Sequence, residues 1–428
     1  MKDHWRTEVE EYAQNLARKR GVNQLSDREL EGEAALTNYI HTFGTEASTK
    51  YNEEAYQHAD YKFHTKYEVG GDDTSANIAA ESAIQYLLFN KNSHIPFPEP
   101  ENPKFTFIDL FAGIGGFRLA MQRLGGKCVF TSEWDKMAQE TYRLNFGEIP
   151  FGDITKEYTK AFIPDNFDLL CAGFPCQAFS IAGKRGGFDD TRGTMFFEVA
   201  EILRNKRPKA FFLENVKGLR NHDKGRTLAT ILNVLRTDLG YFVPEPQIMN
   251  AKNFGLPQNR ERIFIVGFRD DQNIDSFEYP DPVGYKKSIA DIKEKKTVSA
   301  KYYISTQYLS TLVNHRQRHE SKGNGFGYEI IPDNGVANAV VCGGMGRERN
   351  LILDDRLTDF TPVTHIKGEI NRQGIRKMTP REWARLQGFP DEFRIEVADA
   401  SAYKQFGNSV AVPAIQATAA KIIETLNF

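Results

Sequence analysis

An α/β protein built on a mostly parallel sheet, covered on both faces, is the fold class expected of this chain. Short β-rich runs bounded by turn residues recur after residue 103, and helical stretches separate several of them. The chain has 428 residues, 40% hydrophobic and 26% charged, enough for two or three folded units around a large core. That composition excludes collagen-like, disordered and disulfide-stapled scaffolds.

Residues 1–95 read as an acidic helical extension. Trp5, Val9, Tyr12 and Leu16 fall on one face of a first helix. Ser26 and Glu29 fit a capping box that opens a second, through Leu30, Ala34 and Tyr39. A third apolar run after Asn77 holds Ile78, Ile84, Leu87 and Leu88. Nothing in the extension looks catalytic, and a solvated cap or contact module is expected. Pro96, Pro98, Pro100 and Pro103 make 96–103 an extended linker. Strands are then expected at Lys104–Phe111, Lys127–Thr131, Asp168–Ala172, Lys209–Leu213 and Arg262–Phe268, with helices at Phe117–Leu124 and Gly225–Leu239. Past Asp270 the alternation fades. Residues 270–375, rich in Gly, Asn, Lys and Arg, read as a second, more irregular unit.

The net charge of −2 argues at first sight against a polyanionic partner. Splitting the chain at the linker changes this. Residues 1–103 hold 10 Lys+Arg against 18 Asp+Glu, hence −8, and the remainder holds 45 against 39, hence +6. No stretch approaches the ~18 apolar residues of a membrane span. Residues 1–20 are charged throughout, unlike a secretory signal. Cys128, Cys171, Cys176 and Cys342 show no CxxC pair or metal-ligand spacing, so a cytoplasmic setting without a metal is expected.

Candidate chemistry gathers where strands end. The first strand runs into Asp109-Leu-Phe111-Ala112-Gly113-Ile-Gly115-Gly116, a turn whose glycines allow close approach of a ligand to a helix N-terminus. Twenty residues past Gly113, Glu133 is placed to accept from ribose hydroxyls. Arg118 stands where a dinucleotide fingerprint has its third glycine, which leaves another nucleoside cofactor or plain turn chemistry open. Cys176, after Gly173-Phe-Pro175, suits an exposed nucleophile, whereas Cys128 and Cys171 suit small buried apolar groups. Ala178–Asp190, with Gly183, Lys184, Arg185, Gly186 and Gly187, reads as a lid carrying phosphate-contacting charges or as an ordinary solvated loop. Glu214 ends the KAFFLE strand as a proton donor or as a cap. Arg260 and Arg262 alternate on the last strand, towards an anion or into salt bridges. His315 and His319 have metal-like spacing but sit among Arg316, Arg318 and Lys322, which favours a basic nucleic-acid-facing segment. Arg347 and Arg349 follow a glycine loop suited to guanine edges or to a flexible surface.

Taken in order, DLFAGIGGF, SEWD, GDI, GFPCQAFS, TRGT, ENV, QNRER, RLQGFP and GNSV resemble the DNA (cytosine-5)-methyltransferase family, and in particular its HpaII-type bacterial modification enzymes. The resemblance covers essentially all of 104–428 and none of the acidic head. It implies a Rossmann-like S-adenosylmethionine-dependent methyltransferase domain over 104–269, completed by 400–428. It also implies a smaller target-recognition domain and hinge over 270–399. Phe111, Ala112, Gly113, Gly115, Gly116, Glu133, Trp134, Asp153, Ile154, Asn408 and Ser409 are implied to surround the cofactor. Cys176, Glu214 and Arg262 are implied as catalytic. Gln177, Ser180, Lys184, Arg185, Arg260, Arg347 and Arg349 are implied to face double-stranded DNA. The implied chemistry is thiolate attack of Cys176 on cytosine carbon 6, aided by a proton from Glu214 to ring nitrogen 3. Methyl transfer to carbon 5 follows, then loss of the carbon-5 proton and expulsion of Cys176. A base inside a stacked duplex is out of reach, so it must be flipped out. The resemblance further implies a monomeric modification enzyme in the bacterial cytoplasm, with the inner cytosine of CCGG as target. Many members carry Thr-Leu where this sequence reads Ala337-Asn338-Ala339, so the support of the flipped nucleotide from that side stays open. RNA cytosine-5 methylation, a nucleotide-dependent oxidoreductase and a catalytically silent DNA-binding protein remain as alternatives.

Overall fold

A computed structural model describes residues 26–66, 84–85, 95–175, 195–284, 286–325, 327–343, 346–361 and 368–428. The expected first head helix, most of the apolar run after Asn77, and the stretch holding Cys176, Gln177, Ser180, Lys184 and Arg185 lie outside the described residues. The chain divides into two compact units. One comprises Met1–Gln247, Ile263–Tyr279 and Thr418–Phe428; the other comprises Ile248–Arg262 and Pro280–Ala417.

The first unit opens with α1 (Asp27–Thr42) and α2 (Asn52–Lys66). The expected capping box is present: the Ser26 amide donates to the Glu29 carboxylate at 3.0 Å and the Glu29 amide to Ser26 Oγ at 3.3 Å. Sequence reasoning missed α2. Its buried positions include Ala55 and Ala59, side chains too small to make an apolar period conspicuous. Residues 96–103 form neither helix nor strand, and are seated by Phe97 N–H donating to Asn145 O and by Gln122 Nε2 donating to Pro98 O.

The strands that follow are β1 (Phe105–Leu110), β2 (Gly126–Ser132), β3 (Leu169–Gly173), β4 (Ala210–Val216), β5 (Tyr241–Phe242), β6 (Gln247–Asn250), β7 (Gln258–Asn259) and β8 (Glu261–Arg269). The main sheet runs β2-β1-β3-β4-β8-β5, with β6 on β8. β1 is parallel to β2 and β3, and β3 to β4, while β5 is antiparallel to β8. Each expected strand is found with its ends shifted by no more than three residues. Strands buried on both faces need near-continuous apolar runs, and Leu170, Cys171, Phe211, Phe212 and Ile265 are fully buried. Phe212 meets Phe117 and Phe264 edge-on at 5.3 and 5.1 Å. The connecting helices are α3 (Gly116–Arg123), α4 (Lys136–Phe146), α5 (Glu157–Ala161), α6 (Met195–Lys206) and α7 (Arg226–Asn233). The helix expected over Gly225–Leu239 is α7 continued by a π turn at Val234–Asp238.

The second unit is irregular, as its Gly- and Asn-rich composition suggested. It holds α8 (Ile289–Ile292), α9 (Thr306–Glu320), the short strands β9 (Ala337–Asn338), β10 (Leu351–Leu353) and β11 (Ile375–Lys377), then α10 (Pro380–Leu386), α11 (Asp399–Asn408) and the start of α12 (Val412–Thr425), whose residues from Thr418 on belong to the first unit. Its ladders are small: β10 with β11 antiparallel, and β7 with β9 parallel. Ile304, Leu309, Leu312, Leu351 and Ile375 form one apolar cluster. Among the described residues, no helix is long and apolar enough to cross a membrane.

Candidate active site

On the first unit, the carboxyl ends of four parallel strands lie level. Leu110 pairs with Ser132 on one side and with Ala172 on the other, and Gly173 pairs with Glu214. Chain order therefore reverses at β1, with β2 to one side and β3 to the other. Ligands of open α/β sheets bind outside such a switch point.

The backbone leaving β1 is strongly constrained. Phe111 lies at φ +55°, and Gly113 and Gly115 at +56° and +84°. A Cβ at Gly115 would sit 2.2 Å from a ring carbon of Phe146, so only glycine fits that approach. A Cβ at Gly113 would meet nothing within 4 Å, which leaves open space over the turn. Glu133 closes the turn from β2: one carboxylate oxygen accepts from Gly113 N–H at 2.8 Å and the other from Asp135 N–H at 2.8 Å. Burial pushes its carboxyl above the usual glutamate value, while the amides of Asp135 and Gly113 work against that rise. Arg118 is wholly buried, donating to Glu148 at 2.9 Å and to the Tyr142 hydroxyl at 3.1 Å. The position of a fingerprint glycine is thus filled by an ionic anchor for α3.

Trp134 leaves 75% of its surface exposed beside Glu133, and Ile154 is buried. Asp153 Oδ1 accepts from Thr155 N–H at 2.9 Å. At the other side of the edge, Glu214 is 7% exposed. The amide of its neighbour Asn215 donates to Phe174 O at 3.0 Å, holding the loop two residues before Cys176. Residue-type reasoning gave Asn215 no role, because an amide in ENV carries no chemical signature of its own. Cys128 and Cys171 are buried, and burial pushes both thiols well above the ordinary range, as expected of packing groups.

On the second unit, Arg260 is 2% exposed. Its guanidinium donates to Val340 O at 2.8 Å, Gly407 O at 3.1 Å and Ser409 O at 2.6 Å instead of facing outward. Gln258 joins the same network: its amide donates to Leu386 O at 2.8 Å, and its oxygen accepts from Val340 N–H at 2.9 Å. Gln258 of QNRER and Gln387 of RLQGFP, which donates to Phe406 O at 2.7 Å, were given no role of their own from sequence. Arg262 donates to Glu261 O. Asn408 is exposed and Ser409 nearly buried. Arg347 and Arg349 are exposed, and Arg347 lies 5.4 Å from the Tyr403 ring centroid. In the Ala337-Asn338-Ala339 stretch, Asn338 donates to Glu329 and to Arg349 O, which secures β9.

The description C-5 cytosine-specific DNA methylase matches residues 105–424. The chain belongs to that family. The methylase is 72% identical over 350 residues to the type II methyltransferase M.HpaII of Haemophilus parainfluenzae, covering 82% of this chain and 97% of that one. It is 41% identical over 331 residues to M.HhaI of Haemophilus parahaemolyticus, covering 75% and 95%. The crystal structure of S. pombe Dnmt2 methyltransferase superposes with a TM-score of 0.58 at 22% identity, over 76% of the methylase and 100% of that chain; at that identity the likeness concerns the fold. The methylase is a DNA cytosine-5 methyltransferase of the type II restriction–modification kind, and S-adenosylmethionine is its methyl donor. The oxidoreductase alternative falls away, and the acidic head lies outside the matched residues.

Proposed function

We propose that the chain methylates the inner cytosine of CCGG in duplex DNA, flipped out of the helix, as the modification enzyme of a bacterial cytoplasmic restriction–modification system. The pairing of Gly173 with Glu214, with Asn215 holding Phe174 O, is the observation that carries the reading. It favours a thiol three residues past Gly173 arriving beside a buried carboxyl group. Cys176 attacks carbon 6 of the base, and Glu214 gives its proton to ring nitrogen 3, where charge develops. Arg262 engages the flipped base. When bound, S-adenosylmethionine supplies an electrophilic methyl group on a sulfonium. Once carbon 5 carries the methyl group it loses its own proton, and expulsion of Cys176, with return of the ring-nitrogen-3 proton to Glu214, restores the aromatic ring.

The residues present suit that cofactor. Glu133 holds the amides of Gly113 and Asp135, and a carboxylate has further lone pairs for ribose hydroxyls; the space over Gly113 is open, and the exposed Trp134 ring offers a stacking face. Phe111, Ala112, Gly115 and Gly116 shape the turn beneath it, and Asp153 and Ile154 border the adenine; Asn408 and Ser409 are assigned to the cofactor by the resemblance of the GNSV motif alone. Gln177, Ser180, Lys184, Arg185, Arg347 and Arg349 face DNA, while Arg260 serves that side indirectly through the three carbonyls it holds. In this reading 104–269 with 400–428 carries the chemistry, 270–399 reads the target, and a monomer suffices.

Methylating random-sequence DNA and sequencing it after bisulfite treatment tests reaction and target together. Protected cytosines should fall at the inner position of CCGG; protection scattered over other sequences refutes the target. Cys176→Ser should abolish transfer while leaving cofactor binding largely intact, and turnover by that variant would sink the mechanism.

A further inference from the structure

The acidic head has no part in the proposed reaction, yet its described portion is built into the first unit. α1 buries Ala34, Ala35, Leu36, Asn38 and Ile40. Asn38 is wholly buried, and its amide donates to Ile149 O at 3.1 Å. The neighbouring Thr37 Oγ1 accepts from Ile149 N–H at 3.1 Å. Two adjacent side chains of α1 thus take both backbone polar groups of one distant residue. Tyr51, also wholly buried, stacks on Phe151 with ring centroids 5.8 Å apart, and its hydroxyl donates to Val129 O.

The segment held in this way leads to the adenosine side of the crevice. Phe151 N–H donates to Thr131 O at 2.9 Å, and Phe151 O accepts from Glu133 N–H at 2.8 Å. Glu133 in turn holds the Gly113 amide, and Asp153 lies two residues beyond Phe151. Contacts therefore run without a gap from Thr37 and Asn38 through Ile149 and Phe151 to Glu133 and Gly113. Buried backbone groups must keep partners, so removing the α1 side chains forces Ile149 to move towards others. A site held in its binding geometry beforehand loses less freedom when its ligand arrives.

We infer that the head is a clamp on the adenosine half of the cofactor site, in which Thr37 and Asn38 are positioning residues acting through Ile149. The inference rests on Glu133 and Asp153 contacting the cofactor. Its test uses the full chain carrying Thr37→Val with Asn38→Leu. Kd and KM for S-adenosylmethionine should rise about tenfold, as expected when two hydrogen bonds of modest net worth are removed. The kcat at saturating cofactor and the KM for DNA should stay within about twofold of the parent, and Thr37→Ser should keep parental cofactor affinity. A folded double variant with a lowered Tm but parental cofactor affinity overturns the clamp. Glu133→Gln separates the two readings. If it leaves cofactor affinity unchanged, the site assignment fails and the clamp with it; if it weakens affinity while the double variant does not, the clamp alone fails. Should the double variant not fold, amide exchange on the parent chain decides the question. Coupling is reciprocal, so S-adenosylmethionine should slow exchange over 33–42 as well as 149–153. Slowing confined to 149–153 overturns the inference.

Discussion

Asp109, the penultimate residue of β1, has no exposed surface and lies just before the turn that the cofactor is proposed to use. Burial pushes its carboxyl up to about 8, against the pull of the Arg118 guanidinium. The folded value exceeds the unfolded one of 3.8, so the folded state keeps this proton longer. The group's contribution to stability is complete below 3.8 and is lost as pH rises through about 8. Between those limits it steepens the fall in stability with rising pH by at most about 1.4 kcal/mol per pH unit. Asp109→Asn, which cannot ionise, should flatten that fall. Urea midpoints from pH 5 to 9 check this, and an unchanged slope would place the titration elsewhere.

A buried ionic clasp orders the second unit's elements. Arg376 on β11 has a fully buried side chain, donates to both oxygens of Glu382 at 2.7 Å, and reaches Asp354 at 2.8 Å. Glu382 also closes the capping box of α10 by accepting from Thr379 N–H at 2.7 Å. Burial works to raise the Asp354 carboxyl, but Arg356 and Arg376 hold it well below the usual range. Breaking such a pair strands the remaining charges, so Arg376→Met should cost about 3–5 kcal/mol in denaturant unfolding. A loss under about 1 kcal/mol would show that the clasp is replaceable by packing. The capping boxes at Ser26 and Thr379 follow from short-range spacing. The apolar period of α2 is inconspicuous because its buried positions include the small side chains Ala55 and Ala59.

For the molecule as a whole, a net charge of −2 says little about DNA binding, since −8 in residues 1–103 masks +6 in the rest. Affinity then depends on where cations cluster and falls with salt in proportion to the phosphates contacted. The exposed Arg347 and Arg349 separate two modes of contact. If they read guanine edges, alanine at both should cost about 1–3 kcal/mol of discrimination for each bidentate arginine–guanine pair, with the salt slope intact. Equal weakening on CCGG and scrambled duplexes, with a slope shallower by about 2, would make them phosphate contacts instead. Competition binding across a salt series distinguishes the outcomes.

The strands, the glycine turn after β1 and the ordered motifs at the strand ends could be read along the chain, because periodicity and turn chemistry act over a few residues. So could the burial of Cys128 and Cys171, whose strand runs are apolar. Partner choice could not be read that way. Arg260 looks like a surface cation in QNRER, but folding commits it to carbonyls of Val340, Gly407 and Ser409, up to 149 residues away. Arg118 looks like a defective fingerprint and is instead a buried anchor on Glu148. The head looks like an independent acidic module, yet Asn38 meets Ile149 across 111 residues. A polar side chain takes whichever unsatisfied group packing brings to it, and neither its type nor its neighbours in sequence encode that meeting.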